Sequence, residues 1–166
     1  MKRNIVIIAH DIRSAHNIGS LLRTAEGLGV GHVYLTGYTP YPIHSNDTRL
    51  PHIAQKTHHA IQKTALGAEA TQPWSHHAAI KDVLRDLKEQ LFHIVALEQV
   101  STAIQLPDWR PPDKVALVLG REVEGIDPEL LTLMEECVEI PMYGQKESFN
   151  VVQAAAMAMY HLRFTN

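Results

Sequence analysis

Short apolar runs alternate along the chain with segments in which apolar residues recur every three to four positions. The runs have the length of strands, and most are continuously apolar, as in parallel sheets that are buried on both faces. The predicted strands cover residues 4–9, 32–36, 71–74, 92–97, 115–119 and 138–140.

The segments between these runs have helical periodicity. Asp127-Pro128-Glu129 supplies an N-cap, a proline at the first helical position and an acid in the first turn. Ser148 is predicted to cap the last helix. The predicted helices cover residues 18–29, 53–67, 78–91, 128–136 and 151–162, and loops are predicted over 37–50 and 106–113.

The alternation of strands and helices predicts an α/β fold, a mostly parallel sheet flanked by helices in one domain over residues 1–166. No apolar run approaches the ~20 residues that a membrane span needs. With Cys137 as its one cysteine, the chain can hold neither an internal disulfide framework nor a multi-cysteine zinc site. We therefore expect a soluble cytoplasmic domain that does not bind membranes.

The charge is distributed unevenly between the two parts of the chain. Residues 1–66 contain 7 Lys and Arg against 3 Asp and Glu, whereas residues 67–166 contain 8 against 15. Seven of the 11 histidines also lie in residues 1–66. This distribution is compatible with one half that faces an anion such as RNA, and equally with chance scatter of charge.

Polar residues interrupt the scaffold in three segments. The first places Asn17 and Arg23 on a helix that otherwise looks buried. In the second, a buried strand ends at Gly120 and a carboxylate, Glu122, follows two residues later, where α/β sheets bind ligands. The third runs from Ile140 through a Pro/Gly loop into a helix that opens with Ser-Phe-Asn.

Each segment also has a purely structural interpretation. Asn17 could cap its helix while Arg23 extends to solvent, and the glycines could form an ordinary turn. Ser148 and Asn150 could do no more than bond the local backbone. The three segments in this order and spacing, however, form a strong joint signal.

Together the segments resemble the signature motifs of the SpoU/TrmH family of SPOUT RNA methyltransferases. The resemblance covers the chain from about residue 4 to residue 162, and the chain looks like a minimal member that consists of the catalytic domain alone. The matching positions are Asn17, Gly19, Arg23 and Ala25 in the first motif, Gly120, Glu122 and Gly125 in the second, and Ile140-Pro-Met, Gly144, Ser148 and Asn150-Val in the third.

The resemblance implies a fold that periodicity does not predict. Periodicity gives an open, Rossmann-like sheet, whereas family members thread the C-terminal segment through a preceding loop to form a deep trefoil knot, expected here over roughly 92–166. The knot loops would hold S-adenosylmethionine in a bent shape, with no metal. The cofactor-binding residues implied by the resemblance are Leu97, Gly120, Ile140, Ser148 and Phe149.

The family reaction transfers a methyl group from S-adenosylmethionine to a ribose 2′-hydroxyl of RNA. Because a guanidinium is a poor base, we expect Arg23 to bind the adjacent phosphate and orient the hydroxyl. Glu122, Ser148 and Asn150 would position Arg23 and the ribose, and Asn17 would order the loop of the first motif.

The resemblance also implies a homodimer with the final helix in the interface. Asn17 and Arg23 of one subunit would then face the cofactor of the other, although the final helix could instead complete its own subunit's core. Phe149 departs from the leucine that relatives usually carry at this position, so it could crowd or repack the adenine slot.

We expect transfer RNA as the substrate, with ribosomal RNA as the alternative, and an accessory protein could supply further RNA contacts. Two other classes remain open, a catalytically silent RNA-binding protein of the same fold and a knot-free nucleotide-binding enzyme. In the histidine-rich segment, His44, Arg49 and Lys56 could form an RNA-binding loop. The pairs His58-His59 and His76-His77 are expected to be exposed to solvent rather than to bind metal.

Overall fold

A seven-stranded parallel sheet forms the centre of the part of the chain that the computed structural model describes, residues 3–165. Its strands lie in the order β3-β2-β1-β6-β4-β7-β5. In chain order they are β1 Asn4–His10, β2 His32–Thr36, β3 Trp74–His77, β4 His93–Leu97, β5 Ile104–Gln105, β6 Lys114–Leu119 and β7 Glu136–Glu139.

Helices cover both faces of the sheet. One face packs against α1, α2, α3 and α6, and the other packs against α4 and α5. The central strands are therefore apolar on both sides, as Ile7 and Ile8 of β1 show, since they point to opposite faces and are both fully buried. The helices are α1 Ala15–Gly27, α2 Pro51–Ala65, α3 Ala68–Thr71, α4 Ile80–Glu89, α5 Pro128–Leu131 and α6 Val151–Phe164.

The register of the sheet brings three strand ends to the same edge. Ala96 of β4 pairs with Val118 of β6, and Leu97 pairs with Val138 of β7. The segments that follow β4, β6 and β7 therefore emerge next to one another, where parallel sheets hold ligands.

The α/β class and the mostly parallel sheet predicted from the sequence are confirmed. The strands predicted over 4–9, 32–36, 92–97 and 115–119 match β1, β2, β4 and β6 to within one residue at each end. Within residues 3–165, no helix has both the length and the hydropathy that a membrane span requires.

The strand predicted over 71–74 is wrong, because this segment ends α3 and the strand begins at Trp74. Gln72 explains the difference. Its backbone N–H donates to Ala68 O at 2.8 Å, and its buried side-chain amide donates to Val30 O at 3.2 Å. The backbone bond closes a helical turn over residues 68–72, so the chain joins the sheet only at Trp74.

The helix predicted over 128–136 is also wrong beyond Leu131. The backbone N–H of Glu135 donates to Ile94 O of β4 at 2.9 Å, so the chain has already joined the sheet. Asp127 occupies the N-cap position without a capping side-chain bond, because its carboxylate pairs with Arg121.

The helices that carry motif residues differ from the prediction in the start of α1 and in the cap of α6, which begins at Val151 as predicted. α1 begins at Ala15, and the Ser14 hydroxyl accepts a hydrogen bond from the Asn17 N–H at 3.2 Å, so Asn17 lies in the first turn and does not cap it. α6 is capped by Asn150 and not by Ser148. Asn150 Oδ1 accepts from the Val152 N–H at 3.0 Å.

Candidate active site

A cavity of about 260 Å³ opens at the carboxyl ends of β4, β6 and β7. All five residues that the sequence predicts as cofactor contacts line it: Leu97, Gly120, Ile140, Ser148 and Phe149. The wall is apolar where Leu97, Ile140 and Phe149 contribute, and Ser148 supplies a hydroxyl. Three segments that are distant in sequence therefore form one ligand-sized cavity.

Glutamates dominate the charge of this cavity. Arg121 is the one basic residue of the lining, and its guanidinium is already paired with Asp127. A negatively charged wall favours a cationic ligand and disfavours the pyrophosphate of a dinucleotide. The acidic lining residues are Glu98, Glu122, Glu124, Glu139 and Glu147.

The carboxylate of Glu122 joins the second motif to the first. It accepts hydrogen bonds from the backbone N–H of Arg13 at 3.2 Å and of Ser14 at 3.1 Å, and from Asn17 Nδ2 at 3.4 Å. Burial by itself would raise the pKa of Glu122, but these bonds outweigh it and lower the pKa from its ordinary value. Glu122 is therefore an anion that fixes the entry to α1.

Asn17 and Asn150 extend this contact to the third motif. The side-chain amide of Asn150 donates to Asn17 Oδ1 at 3.5 Å, while Asn150 Oδ1 caps α6. Residues of all three motifs thus form one chain of contacts, Glu122–Asn17–Asn150, which we call the motif cluster. Asn17 is part of the motif cluster of its own chain. That Asn17 also faces the cofactor of a partner subunit stays a prediction.

Two predicted catalytic residues lie outside the motif cluster. Arg23 is exposed on α1, and the hydrogen bonds and ion pairs found within residues 3–165 include none from Arg23 to Glu122, Ser148 or Asn150. It lies six residues beyond Asn17 on α1, a rise of roughly 9 Å. Ser148 is exposed at the rim of the cavity.

Glu98, which directly follows β4, was not among the site residues predicted from the sequence. Its Oε2 accepts from the Ile126 N–H at 2.9 Å, and its Oε1 accepts from the Gln99 N–H at 2.9 Å. Gly125 fits beneath this carboxylate with φ +69, where an added Cβ would lie 2.2 Å from Glu98 Oε2. Glu98 therefore fixes the turn that carries Glu122. A carboxylate directly after a buried strand was the available signal.

Two of the histidines that were expected to be exposed to solvent are half-buried. His76 stacks on Tyr41 with ring centroids 4.0 Å apart, and its Nε2 bonds Gly37 O at 2.9 Å. His77 is also half-buried, so the expectation of exposure is wrong for this pair. Among residues 3–165 no group of three or more His, Cys, Asp or Glu side chains is placed to hold a metal ion.

Arg49 does not fit its expected role in an RNA-binding loop. Its guanidinium lies 3.6 Å from the centroid of the Tyr41 ring, donates to Tyr41 O at 3.0 Å and pairs with Asp47. The Arg49 side chain is thus engaged within its own loop, and a contact with RNA stays a prediction.

A parallel α/β sheet with a cavity and a polar cluster at its carboxyl edge is typical of domains that bind a small ligand there. A profile of the SpoU rRNA Methylase family matches residues 4–160. The chain belongs to this family, which confirms the resemblance predicted from the three motifs.

Similar proteins share this family at moderate identity. A tRNA (guanosine(18)-2′-O)-methyltransferase of Aquifex aeolicus is 26% identical over 96% of this chain and 68% of its own length. The 23S rRNA (guanosine-2′-O-)-methyltransferase RlmB of Neisseria meningitidis is 30% identical over 96% of this chain and 58% of its own length. The chain thus spans 68% of the length of the first relative and 58% of the length of the second.

Solved structures show the same fold. An AdoMet-bound rRNA methyltransferase from Sinorhizobium meliloti superimposes with a TM-score of 0.78 at 21% identity, over 98% of this chain and 57% of that one. The Aquifex aeolicus TrmH/SpoU tRNA modifying enzyme gives 0.73 at 21% identity, over 98% and 75%.

Proposed function

We propose that the chain is an RNA methyltransferase that transfers a methyl group from S-adenosylmethionine to a ribose 2′-hydroxyl. The motif cluster is the observation that carries this proposal, because it joins residues of all three family motifs and one of them, Glu122, lines the cavity. Membership of the family and the names of the similar proteins support it.

The cavity fits the proposed cofactor. Its glutamates suit a ligand that carries a sulfonium and an ammonium, and Leu97, Ile140 and Phe149 offer apolar contacts to an adenine ring. Gly120 and Ser148 complete the proposed contacts. When bound, S-adenosylmethionine supplies an electrophilic methyl group on a positively charged sulfur.

The chain's own residues would bind and orient the ribose. Arg23 is exposed and free to contact the phosphate next to the target, which aligns the hydroxyl. Glu122 acts as a positioning residue because it holds the backbone at the start of the helix that carries Arg23. Ser148 provides a hydroxyl for the ribose at the cavity rim, and Asn150, two residues later, provides an amide.

The substrate we propose is transfer RNA, with ribosomal RNA as the second candidate. The similar proteins include enzymes named for each. The test is transfer of label from S-adenosylmethionine to total tRNA and, separately, to rRNA that lacks the modification, followed by alkaline hydrolysis. Label at an alkali-resistant linkage would support the reaction and identify the RNA.

Other outcomes of the same assay distinguish the alternatives. Binding of S-adenosylmethionine without transfer to either RNA would indicate a catalytically silent RNA-binding protein or a requirement for an accessory protein, and a cell extract would separate these two. Absence of cofactor binding would refute the proposed function.

We also propose that the chain acts as a homodimer. Three large side chains on α6, Met157, Tyr160 and Phe164, are 37%, 61% and 61% exposed, and beside them lie Leu106 and Pro107. Such an apolar surface is typical of an interface. In light scattering, Tyr160→Glu is expected to convert a dimer to a monomer, whereas Tyr143→Glu, a change at an exposed loop residue, is expected to leave the dimer intact.

The trefoil knot over roughly 92–166, within a single domain at 1–166, belongs to the same proposal. Its support is the position of β7 between β4 and β5, two strands joined by residues 98–103. An experimental structure of the full chain would show directly whether its C-terminal segment passes through a preceding loop. The cytoplasmic location stays a prediction, which fractionation of cells would check.

A further inference from the structure

One exposed face of α2 carries a row of basic and imidazole side chains. The residues are spaced by four, three and four positions, so they lie on one side of the helix. All four are exposed, and the 15 residues of α2 include no Asp or Glu. We call this row the α2 stripe: His52, Lys56, His59 and Lys63.

The helix that carries the α2 stripe packs against α1, the helix that carries Asn17 of the motif cluster. α1 and α2 approach closely at Gly19, where a Cβ would lie 2.1 Å from Thr64 Oγ1. The Thr64 hydroxyl donates to His16 O at 2.7 Å. Because Asn17 follows His16 and Lys63 precedes Thr64, one end of the stripe lies close to the first turn of α1.

The length and charge of the stripe fit a nucleic-acid backbone. From His52 to Lys63 the helix rises roughly 16 Å along its axis. Successive phosphates of one strand of a nucleic-acid duplex are about 3.4 Å apart along the duplex axis, so the stripe is long enough to contact several of them. The cavity itself is lined by glutamates and repels phosphate. A polyanionic substrate must therefore be held outside the cavity. The stripe is a basic surface whose Lys63 end lies near Asn17, and Asn17 contacts Glu122 of the cavity lining.

We propose that the α2 stripe binds the phosphate backbone of the RNA substrate and thereby delivers the target ribose to the motif cluster. The proposal rests on the proposed RNA methyltransferase function. The lysines would neutralise phosphates, and the imidazoles would bond phosphates or the bases beside them.

The test compares two double variants that remove the same charge. Lys56→Gln/Lys63→Gln removes two cations from the stripe. Lys81→Gln/Arg85→Gln removes two exposed cations from α4, on the other face of the sheet. RNA binding is measured by filter retention of unmodified tRNA transcripts from 50 to 200 mM salt, beside the Kd for S-adenosylmethionine and the steady-state kinetics.

The stripe variant is expected to raise the Kd for RNA about tenfold and to lower the salt slope of log K by roughly 1.4–1.8, the loss of two phosphate contacts. Its KM for RNA rises while kcat at saturating RNA and the cofactor Kd stay within twofold. Lys56→Arg/Lys63→Arg restores binding. The α4 control matches the wild type.

Failure of the inference and failure of the proposed function give different results. A wild type that methylates RNA, with a stripe variant of unchanged Kd and salt slope, overturns the stripe alone. A wild type that neither binds nor methylates RNA overturns both. If the double variant has a lowered Tm, Lys56→Gln and Lys63→Gln are measured separately. Each is expected to lower the salt slope of log K by roughly 0.7–0.9, and an unchanged slope in both overturns the stripe.

Discussion

Replacement of the Glu122 carboxylate by an amide tests whether the motif cluster organises the site. The carboxylate accepts bonds from the Arg13 and Ser14 N–H groups and from the Asn17 amide. In Glu122→Gln the remaining oxygen can still accept where Oε1 does, but an NH₂ group replaces Oε2, which accepts from the Arg13 N–H at 3.3 Å. The variant therefore loses this bond and the negative charge that strengthens the bonds to Oε1.

Such bonds contribute about 1.5–3 kcal/mol each when buried. Glu122 is partly exposed to water, which reduces the contribution, so we expect a loss of about 1–2 kcal/mol in the free energy of unfolding. For a domain of this size that lowers the Tm by about 2–8 °C. Glu129→Gln, which changes an exposed carboxylate on α5, is the matched control and should leave the Tm unchanged.

The pH dependence of this difference gives an independent check. The pKa of Glu122 is lowered in the folded protein, so its stabilisation is present above the ordinary value of 4.5 and is lost as the pH falls through the folded-state value. The difference in Tm between the wild type and Glu122→Gln should shrink from pH 6 towards pH 3. Methyl transfer at neutral pH should fall at least tenfold. A variant with wild-type Tm and turnover would refute the role we assign to Glu122.

Three further predictions follow from the site and the core. Arg23→Lys should lose nearly all turnover and keep the wild-type cofactor Kd, because an ammonium lacks the planar pair of donors that orients a phosphate; near-normal turnover would contradict this. Gly125→Ala should weaken S-adenosylmethionine binding and lower the Tm, since its Cβ meets Glu98 at a positive φ; isothermal titration and calorimetry check both. Burial lowers the pKa of three histidines below the ordinary value of 6.5, so the unfolded chain binds more protons than the folded chain. The Tm should therefore decline as the pH falls below 6.5, and a Tm that stays constant there would contradict this. These histidines are His10, His32 and His76.

The central strands of the sheet could be predicted from the sequence because they are buried on both faces. A continuous apolar run such as 4–9 or 115–119 has no other easy interpretation at that length. The edge strands were harder. β3 contains two histidines and a serine, and β5 has two residues, so neither carries an apolar run.

Helix boundaries failed where a distant contact decides them. The helix after Asp127 stops because Glu135 bonds Ile94 of β4, a partner 41 residues away that no local pattern reveals. The same holds for the site. The motifs predicted its members, but the bond from Asn17 to Glu122 and the role of Glu98 depend on the sheet register, which brings the strand ends together.

The contacts of the motif cluster span unusually long stretches of chain, 105 residues from Asn17 to Glu122 and 133 from Asn17 to Asn150. Closing such loops has an entropic cost, so we expect these contacts to form late in folding. A nascent chain therefore has no assembled cluster until residue 150 has been synthesised. In a refolding experiment, recovery of methyl transfer should lag behind recovery of the helical circular dichroism signal. The rate at which activity returns would then report the formation of the motif cluster.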